Sequence, residues 1–458
     1  MKHLHITLFL LLTLCVRGLS AQGLAGDWQG KLDVGSMKLR LVTHFEQTDG
    51  GWSGTLDSPD QGARGIPMDA VTRTDSLVTF TVAALGVRYT GVLRGDSLID
   101  GTFQQGAASL PLRLTRGVEQ VRRPQTPRPP FPYRSEEVTL PGADAGVTLA
   151  GTLTLPEGGK PRPAVILLTG SGTQDRDETI MEHKPFAVIA DCLTRRGFAV
   201  LRCDDRGAGR STGSAASATT LTGAADASCM MDYLKARPEI DPSRIGLLGH
   251  SEGAAMAFHT AAQRDDVAFV VSLAGPGVKG DSILLRQNAD LARLEGMLEG
   301  RVESLCRLLQ QVYALAESEL PADVLLDRLV TLYGGQTGRQ LTDAEREQLR
   351  RQLSTFCTPW MRGFLRHDPQ TDLKAVRCPV LVLNGERDTQ VDATVNPDAI
   401  RRALPDVPGR LVTVKRYPGL NHLFQHCTTG LPAEYGSIEE TISPEVLADL
   451  AAWMEALP

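Results

Sequence analysis

The residues best suited to chemistry lie in one short run, Gly249-His250-Ser251-Glu252-Gly253, a G-x-S-x-G pattern. Ahead of it, Ile245, Leu247 and Leu248 give the apolar run of a strand covered on both faces. Behind it, the small residues from Gly253 to Ala262 favour a helix. A strand that turns at once into a helix brings the backbone against itself. Glycines are therefore needed on both sides of the serine, whose hydroxyl is pushed out over the end of the sheet in a strained conformation. The helix N-terminus then favours negative charge developing there. A serine hydroxyl is a weak nucleophile at neutral pH and needs a base, and the base needs an orienting acid. Asp388, in Asn384-Gly385-Glu386-Arg387-Asp388, follows the apolar run at 379–383, and His422, in Gly419-Leu420-Asn421-His422, follows the next such run. Each lies a few residues beyond a strand's carboxyl end, on the sheet edge that carries Ser251. Asp392 and Glu386 are rivals for the acid and His426 for the base; His250 is read as structural, its side chain packing away from the cleft.

From about residue 136 onward, strands alternate with helices. Strands are expected at 147–155, 163–169, 199–203, 267–273, 380–383 and 411–415 besides the one before Ser251, with a helix over 186–196 and another ending near 237. The repeated βα pattern specifies a doubly wound, mostly parallel sheet with helices on both faces. One interval, about 280–372, breaks the rhythm and reads helical throughout, with apolar residues at i, i+3, i+4 and i+7. An insertion at a strand's carboxyl end sits over the site and reads as a helical cap. Within it Trp360, Met361, Phe364 and Leu365 cluster. Trp360 and Phe364 are candidates for a substrate pocket, and plain packing of the cap is the equal alternative.

Several motifs together resemble the α/β-hydrolases, and most closely the secreted bacterial esterases and serine-aminopeptidase-like members that carry a β domain in front. They are Gly249 to Gly253, Asn384 to Asp388, Gly419 to His422, Asp205-Arg206-Gly207-Ala208-Gly209-Arg210-Ser211, and the run from Gly170-Ser171-Gly172 to Asp175-Arg176-Asp177-Glu178. The resemblance covers residues 136–458. It implies Ser251 as nucleophile, His422 as base and Asp388 as its orienter, with acyl transfer through an acyl-enzyme. The oxyanion hole would use the backbone N–H of Glu252 and a second N–H from Ser171 or Gly172. Thr169 stands where the family commonly has histidine, which leaves the anchoring of that loop open. The charged runs at 175–178 and 205–210 read as loop-bracing ion pairs, with a clamp on a polar substrate as the alternative. A carboxylesterase for short- to medium-chain acyl esters, small molecules or acylated glycans, is the favoured activity. A serine peptidase, for which Glu252 or the 175–178 loop would hold an amine, and a thioesterase are alternatives. A non-catalytic glycan-binding or cell-envelope module is the alternative of another class.

The rest of the chain divides readily. Residues 24–116 carry short alternating segments between turn signals such as Asp49-Gly50-Gly51 and Gly95-Asp96-Ser97. Seven or eight close strands indicate a small antiparallel barrel or sandwich over 22–117. Gly26-Asp27-Trp28 resembles the opening of lipocalin-like barrels, where a tryptophan plugs one end. Residues 118–135, with Pro124, Pro127, Pro129, Pro130 and Pro132, form a stiff linker. Residues 1–21 have the Lys2 start, apolar centre and small-residue end of a signal peptide, so the chain is expected to be exported, periplasmic or extracellular. Leu14 before Cys15 disfavours a lipid anchor. The net charge of −6 and the lack of basic clusters exclude a nucleic-acid binder. No stretch suits a membrane span. Seven scattered cysteines beyond Cys15 form no zinc or disulfide framework, and no cofactor or metal is expected. The β domain is left with three roles, substrate lid, glycan binding or the contact of a homodimer.

Overall fold

The computed structural model describes residues 23–458 apart from 35–37, 62, 107, 120, 121, 337, 407, 409 and 410. The signal peptide and Cys15 lie outside the described residues. The chain divides into two compact units, meeting in sequence at Gln120 and Val121.

In the first unit the alternation dictates strands with one buried face. The sequence VRYTGVLR, for example, buries Val87, Tyr89 and Gly91 and turns the residues between them outward. Nine strands follow one another: β1 (Gly26–Asp33), β2 (Lys38–Thr48), β3 (Gly51–Ser58), β4 (Ala63–Pro67), β5 (Ala70–Thr74), β6 (Leu77–Val82), β7 (Val87–Arg94), β8 (Leu98–Gln105) and β9 (Ala108–Arg116). Eight of them run in the order β2-β1-β9-β8-β7-β6-β5-β3, and pairing of β2 with β3 closes the ring, with β4 attached to β3. The eight-stranded ring is thus a closed antiparallel barrel. Its interior is filled by Trp28, Phe45, Phe80, Tyr89, Ile99 and Leu112. The Trp28 indole N–H donates to Leu24 O at 2.8 Å. The Arg116 guanidinium lies over the ring, 4.3 Å from its centroid.

The second unit holds an eight-stranded sheet. Its strands are β10 (Arg134–Pro141), β11 (Thr148–Leu155), β12 (Arg162–Leu168), β13 (Ala199–Cys203), β14 (Ile240–His250), β15 (Val270–Leu273), β16 (Val380–Gly385) and β17 (Val412–Tyr417), in the order β10-β11-β13-β12-β14-β15-β16-β17. Only the β10–β11 and β11–β13 pairs are antiparallel. No strand was expected over 134–141: its half-exposed Arg-Ser-Glu-Glu start hides the apolar alternation that Val138 and Leu140 show once paired with β11. Helices α1 (Pro185–Arg195) and α12 (Pro444–Glu455) cover one face, where Phe186, Ile189, Val446 and Leu450 meet the strands. Helices α2 (Thr220–Lys235) and α3 (Glu252–Gln263) cover the other, through Met231, Leu234, Ala254 and Phe258.

Between β15 and β16 come α4 (Gly280–Leu294), α5 (Glu299–Glu317), α6 (Ala322–Gly335), α7 (Asp343–Leu353), α8 (Pro359–Arg366) and α9 (Pro369–Leu373). The first five share a small core of their own, around Leu309, Val312, Leu329 and Leu365. After β16, α10 (Val395–Ala403) precedes β17, and α11 (Pro432–Tyr435) precedes α12. The proline-rich segment lies along this second unit. Arg123 donates to the carbonyls of Met181, Gly436 and Ile438 at 2.8–2.9 Å. Gln125 donates to Ile442 O and accepts from Thr441 N. Among the described residues no helix is long and apolar enough to cross a membrane.

Candidate active site

The site follows from the register of the parallel strands. Leu168 pairs with Gly249, His250 with Leu273, Leu273 with Leu383 and Gly385 with Tyr417. The residues just beyond β12, β14, β16 and β17 therefore emerge along one edge, and these are Thr169 to Gly172, Ser251, Asp388 and His422.

Ser251 occupies the turn between β14 and α3. Its φ of 51° and ψ of −122° put a non-glycine residue where L side chains are strained. Both glycines are required. A Cβ on Gly249 would meet the backbone of Gly253 at 2.1 Å, and one on Gly253 would meet Leu168 O at 2.1 Å. The 12-residue α3 starts at Glu252 and points its N-terminus at the serine.

Asp388 and His422 are brought together and buried. His422 Nδ1 lies 2.7 Å from Asp388 Oδ2. The other carboxylate oxygen accepts the N–H groups of Gln390 at 2.8 Å and Val391 at 2.9 Å, and Asn384 Nδ2 donates to Oδ2 at 3.1 Å. A carboxylate held by donors alone takes the Nδ1 proton as a further donor, which leaves Nε2 with its lone pair. Among the described residues no hydrogen bond joins Ser251 Oγ to His422; such contacts are often long without substrate. The rivals are engaged elsewhere. Asp392 accepts from Thr394 N and Val395 N and pairs with Arg286, while His426 is exposed and pairs with Glu440.

The loop after β12 is anchored without the missing histidine. Thr169 Oγ1 donates to both oxygens of Asp205 at 2.8 and 3.0 Å, and Gln174 N donates to Asp205 at 2.8 Å. Gly170 N donates to Glu178 Oε1 at 2.7 Å. Among the described residues no acceptor takes the backbone N–H of Ser171 or of Glu252. Burial, with the charges of Glu178 and Glu252 nearby, pushes the Asp205 carboxyl up to about 7. The charged runs brace loops: Arg176 pairs with Asp204 and Glu137, Arg202 with Asp177, and Arg206 with Asp226 and Asp144.

A cleft opens at Ser251, lined by Ser171, Glu252, Ile283, Leu284, Trp360 and Phe364 among others. Trp360 and Phe364 stack at 5.8 Å between ring centroids, while Met361 and Leu365, on the neighbouring face of α8, fill the core of the helical insertion. The Glu252 side chain was expected only as a peptidase's amine holder. Its carboxylate accepts the Trp360 indole N–H at 2.8 Å and the Thr220 hydroxyl, and burial pushes its pKa up. Among the described residues no group of His, Cys, Asp and Glu could hold a metal.

The strand order, the serine turn and the edge that gathers these loops decide the architecture. The fold is that of the α/β-hydrolases. A family model described as serine aminopeptidase, S33, matches residues 180–327, a stretch that includes Ser251 and ends before Asp388 and His422. The chain is 28% identical over 331 residues to Esterase EstD of Thermotoga maritima, covering 71% of this chain and 68% of the relative. Among solved structures, a hypothetical protein from Pseudomonas aeruginosa aligns at 19% identity and a TM-score of 0.45, covering 74% of this chain and 99% of the other. An esterase of Pyrococcus furiosus aligns at 16% identity and a TM-score of 0.44, with the same coverage of each. The family match and the curated relative support a hydrolase.

Proposed function

We propose that this chain is an exported serine carboxylesterase that cleaves short- to medium-chain acyl esters through a Ser251–His422–Asp388 triad. The observation that carries the reading is the buried 2.7 Å pair between His422 Nδ1 and Asp388 Oδ2, on the same edge as a serine held in a strained turn. His422 Nε2 takes the Ser251 hydroxyl proton as Oγ attacks the ester carbonyl. The oxyanion of the tetrahedral intermediate rests on the N–H groups of Glu252 and of Ser171 or Gly172; Glu252 and Ser171 line the cleft. His422 returns the proton to the departing alcohol, then activates a water that frees the acid. Ile283, Leu284, Trp360 and Phe364 give the acyl chain an apolar wall. The esterase name of the Thermotoga relative supports ester over amide. Acylated glycans suit an exported enzyme as natural substrates.

Serine peptidase is the second reading, favoured by the family match over residues 180–327. A panel of p-nitrophenyl esters from acetate to decanoate, set beside aminoacyl p-nitroanilides, separates the two. Ester turnover that declines with chain length is expected. Anilide turnover with negligible ester turnover would make it a peptidase, and no turnover in either series would favour the non-catalytic module.

A further inference from the structure

The residue before the nucleophile is a histidine, and it is not idle packing. His250 is 5% exposed and its ring lies 4.8 Å from that of His422, centroid to centroid. Its two nitrogens have separate partners, Nδ1 facing Glu178 Oε1 at 2.9 Å and Nε2 facing the backbone carbonyl of His422 at 3.0 Å. Glu178 is 1% exposed, and the same Oε1 accepts the Gly170 N–H at 2.7 Å. One carboxylate oxygen and one imidazole thus join three loops, those carrying the oxyanion donors, the nucleophile and the base.

The junction is tight and walled by apolar groups. A Cβ on Gly170 would come within 3.2 Å of Glu178 Oε1 and 3.3 Å of Ser251 Cβ, tight enough that the neighbours would have to give by a few tenths of an ångström. Phe186, Ile189, Leu273, Leu423 and Phe424 surround the pair. Glu178 is itself held in an unfavourable backbone conformation, with φ of 52°, as are Met181 and Glu182 just after it. Their hairpin is pinned by the 180–183 bridge, by Arg123 on Met181 O, and by His183 against Thr441 and Tyr435 O. Strain kept in place by so many contacts marks a position that the surroundings over-determine.

We propose that Glu178 and His250 are a positioning pair for the triad, a buried ion pair that fixes the oxyanion loop against the loop of His422. This rests on the serine-hydrolase reading above. A neutral imidazole donates from one nitrogen only, yet both nitrogens of His250 face acceptors, so the imidazolium satisfies both. Glu178 supplies its counter-charge. The other charged groups near the pair are His422, in ring contact, Asp388 behind it, and the buried Asp205 carboxyl, which feels the charge of Glu178. Neither residue touches substrate; both act through Gly170 and His422.

Glu178→Gln keeps the shape and an acceptor for Gly170 while removing the charge, and it is the informative variant because Glu178→Ala and His250→Ala risk the fold. In Glu178→Gln the buried His250 loses its counter-ion and becomes neutral. Expected are a kcat lower by about 10–100-fold, in the range of a small misplacement of reacting groups, and a KM within about threefold. ¹⁵N resonances of the imidazoles, with His250→Asn for assignment, give a readout that needs no turnover. Both His250 nitrogens should be protonated at neutral pH in the wild type and only one in Glu178→Gln. A neutral His250 in the wild type overturns the proposal. So does a Glu178→Gln enzyme whose kcat matches the wild type. A wild-type protein with a protonated His250 and no ester turnover would instead sink the esterase reading and leave the ion pair standing.

Discussion

At the scale of single residues, the site rests on proton positions that charge alone sets. Asp388 accepts from Gln390, Val391 and Asn384 and holds the His422 proton on Nδ1. Asp388→Asn keeps the contact and puts an N–H where an acceptor is needed, so a fall in kcat of about 10⁴-fold is expected in ester assays, with a melting temperature near the wild type. Asp205 makes the opposite kind of statement. Its folded carboxyl titrates near 7, well above the usual carboxylate range, so between about pH 4 and about pH 7 the native protein holds a proton that the unfolded chain has released. Stability should fall as pH rises through that window. Thermal melts should show the decline in the wild type and a shallower one in Asp205→Asn. The gathering of Ser251, Asp388 and His422 on one edge was legible because each follows a strand of the parallel sheet. Glu178, Asp205 and the Glu252–Trp360 bond were not. Their partners lie 8 to 108 residues away, and nothing in a run of charged residues says which carboxylate will be buried.

At the scale of elements, the turn between β14 and α3 tolerates no side chain. A Cβ at Gly253 would meet the Leu168 and Thr169 carbonyls at 2.1 and 2.6 Å, against backbone that cannot swing away. Gly253→Ala is expected to cost more than about 3 kcal/mol and to reduce soluble yield and activity together, measured by chemical unfolding. Helix α8 divides its faces, Met361 and Leu365 to the insertion's core and Trp360 and Phe364 to the cleft. Trp360→Phe removes the N–H that Glu252 accepts while keeping a ring. It should lower kcat/KM about 10-fold on the longer esters with a melting temperature little changed. The parallel strands of the second unit were legible from their apolar runs, and the helical insertion from its length and period. β10 escaped because an edge strand with a charged start shows its alternation only beside its partner. The closure of the first unit into a barrel, not a sandwich, depends on the β2–β3 pairing. Alternation gives the strands of a ring and not where it closes.

At the scale of the whole molecule, two units carry separate cores. Trp28 is fully buried in the first, under Arg116. Trp28→Ala should destabilise that unit by about 3–5 kcal/mol, read in calorimetry as a lower unfolding temperature of that unit. The proline-rich segment reads as a boundary by composition, yet Arg123 and Gln125 tie it to the second unit. Proline content reports stiffness, and only the fold reports what a stiff segment lies against. The central claim concerns Ser251 as the attacking group, and labelling tests it most directly. The protein is treated with a fluorophosphonate that traps activated serines, then mapped by peptide mass spectrometry. Expected are one adduct per chain, on Ser251, formed in step with loss of esterase activity, and no adduct in Ser251→Ala, whose turnover should be lower by at least ~10³-fold. Labelling at another serine, or full turnover in Ser251→Ala, would contradict it.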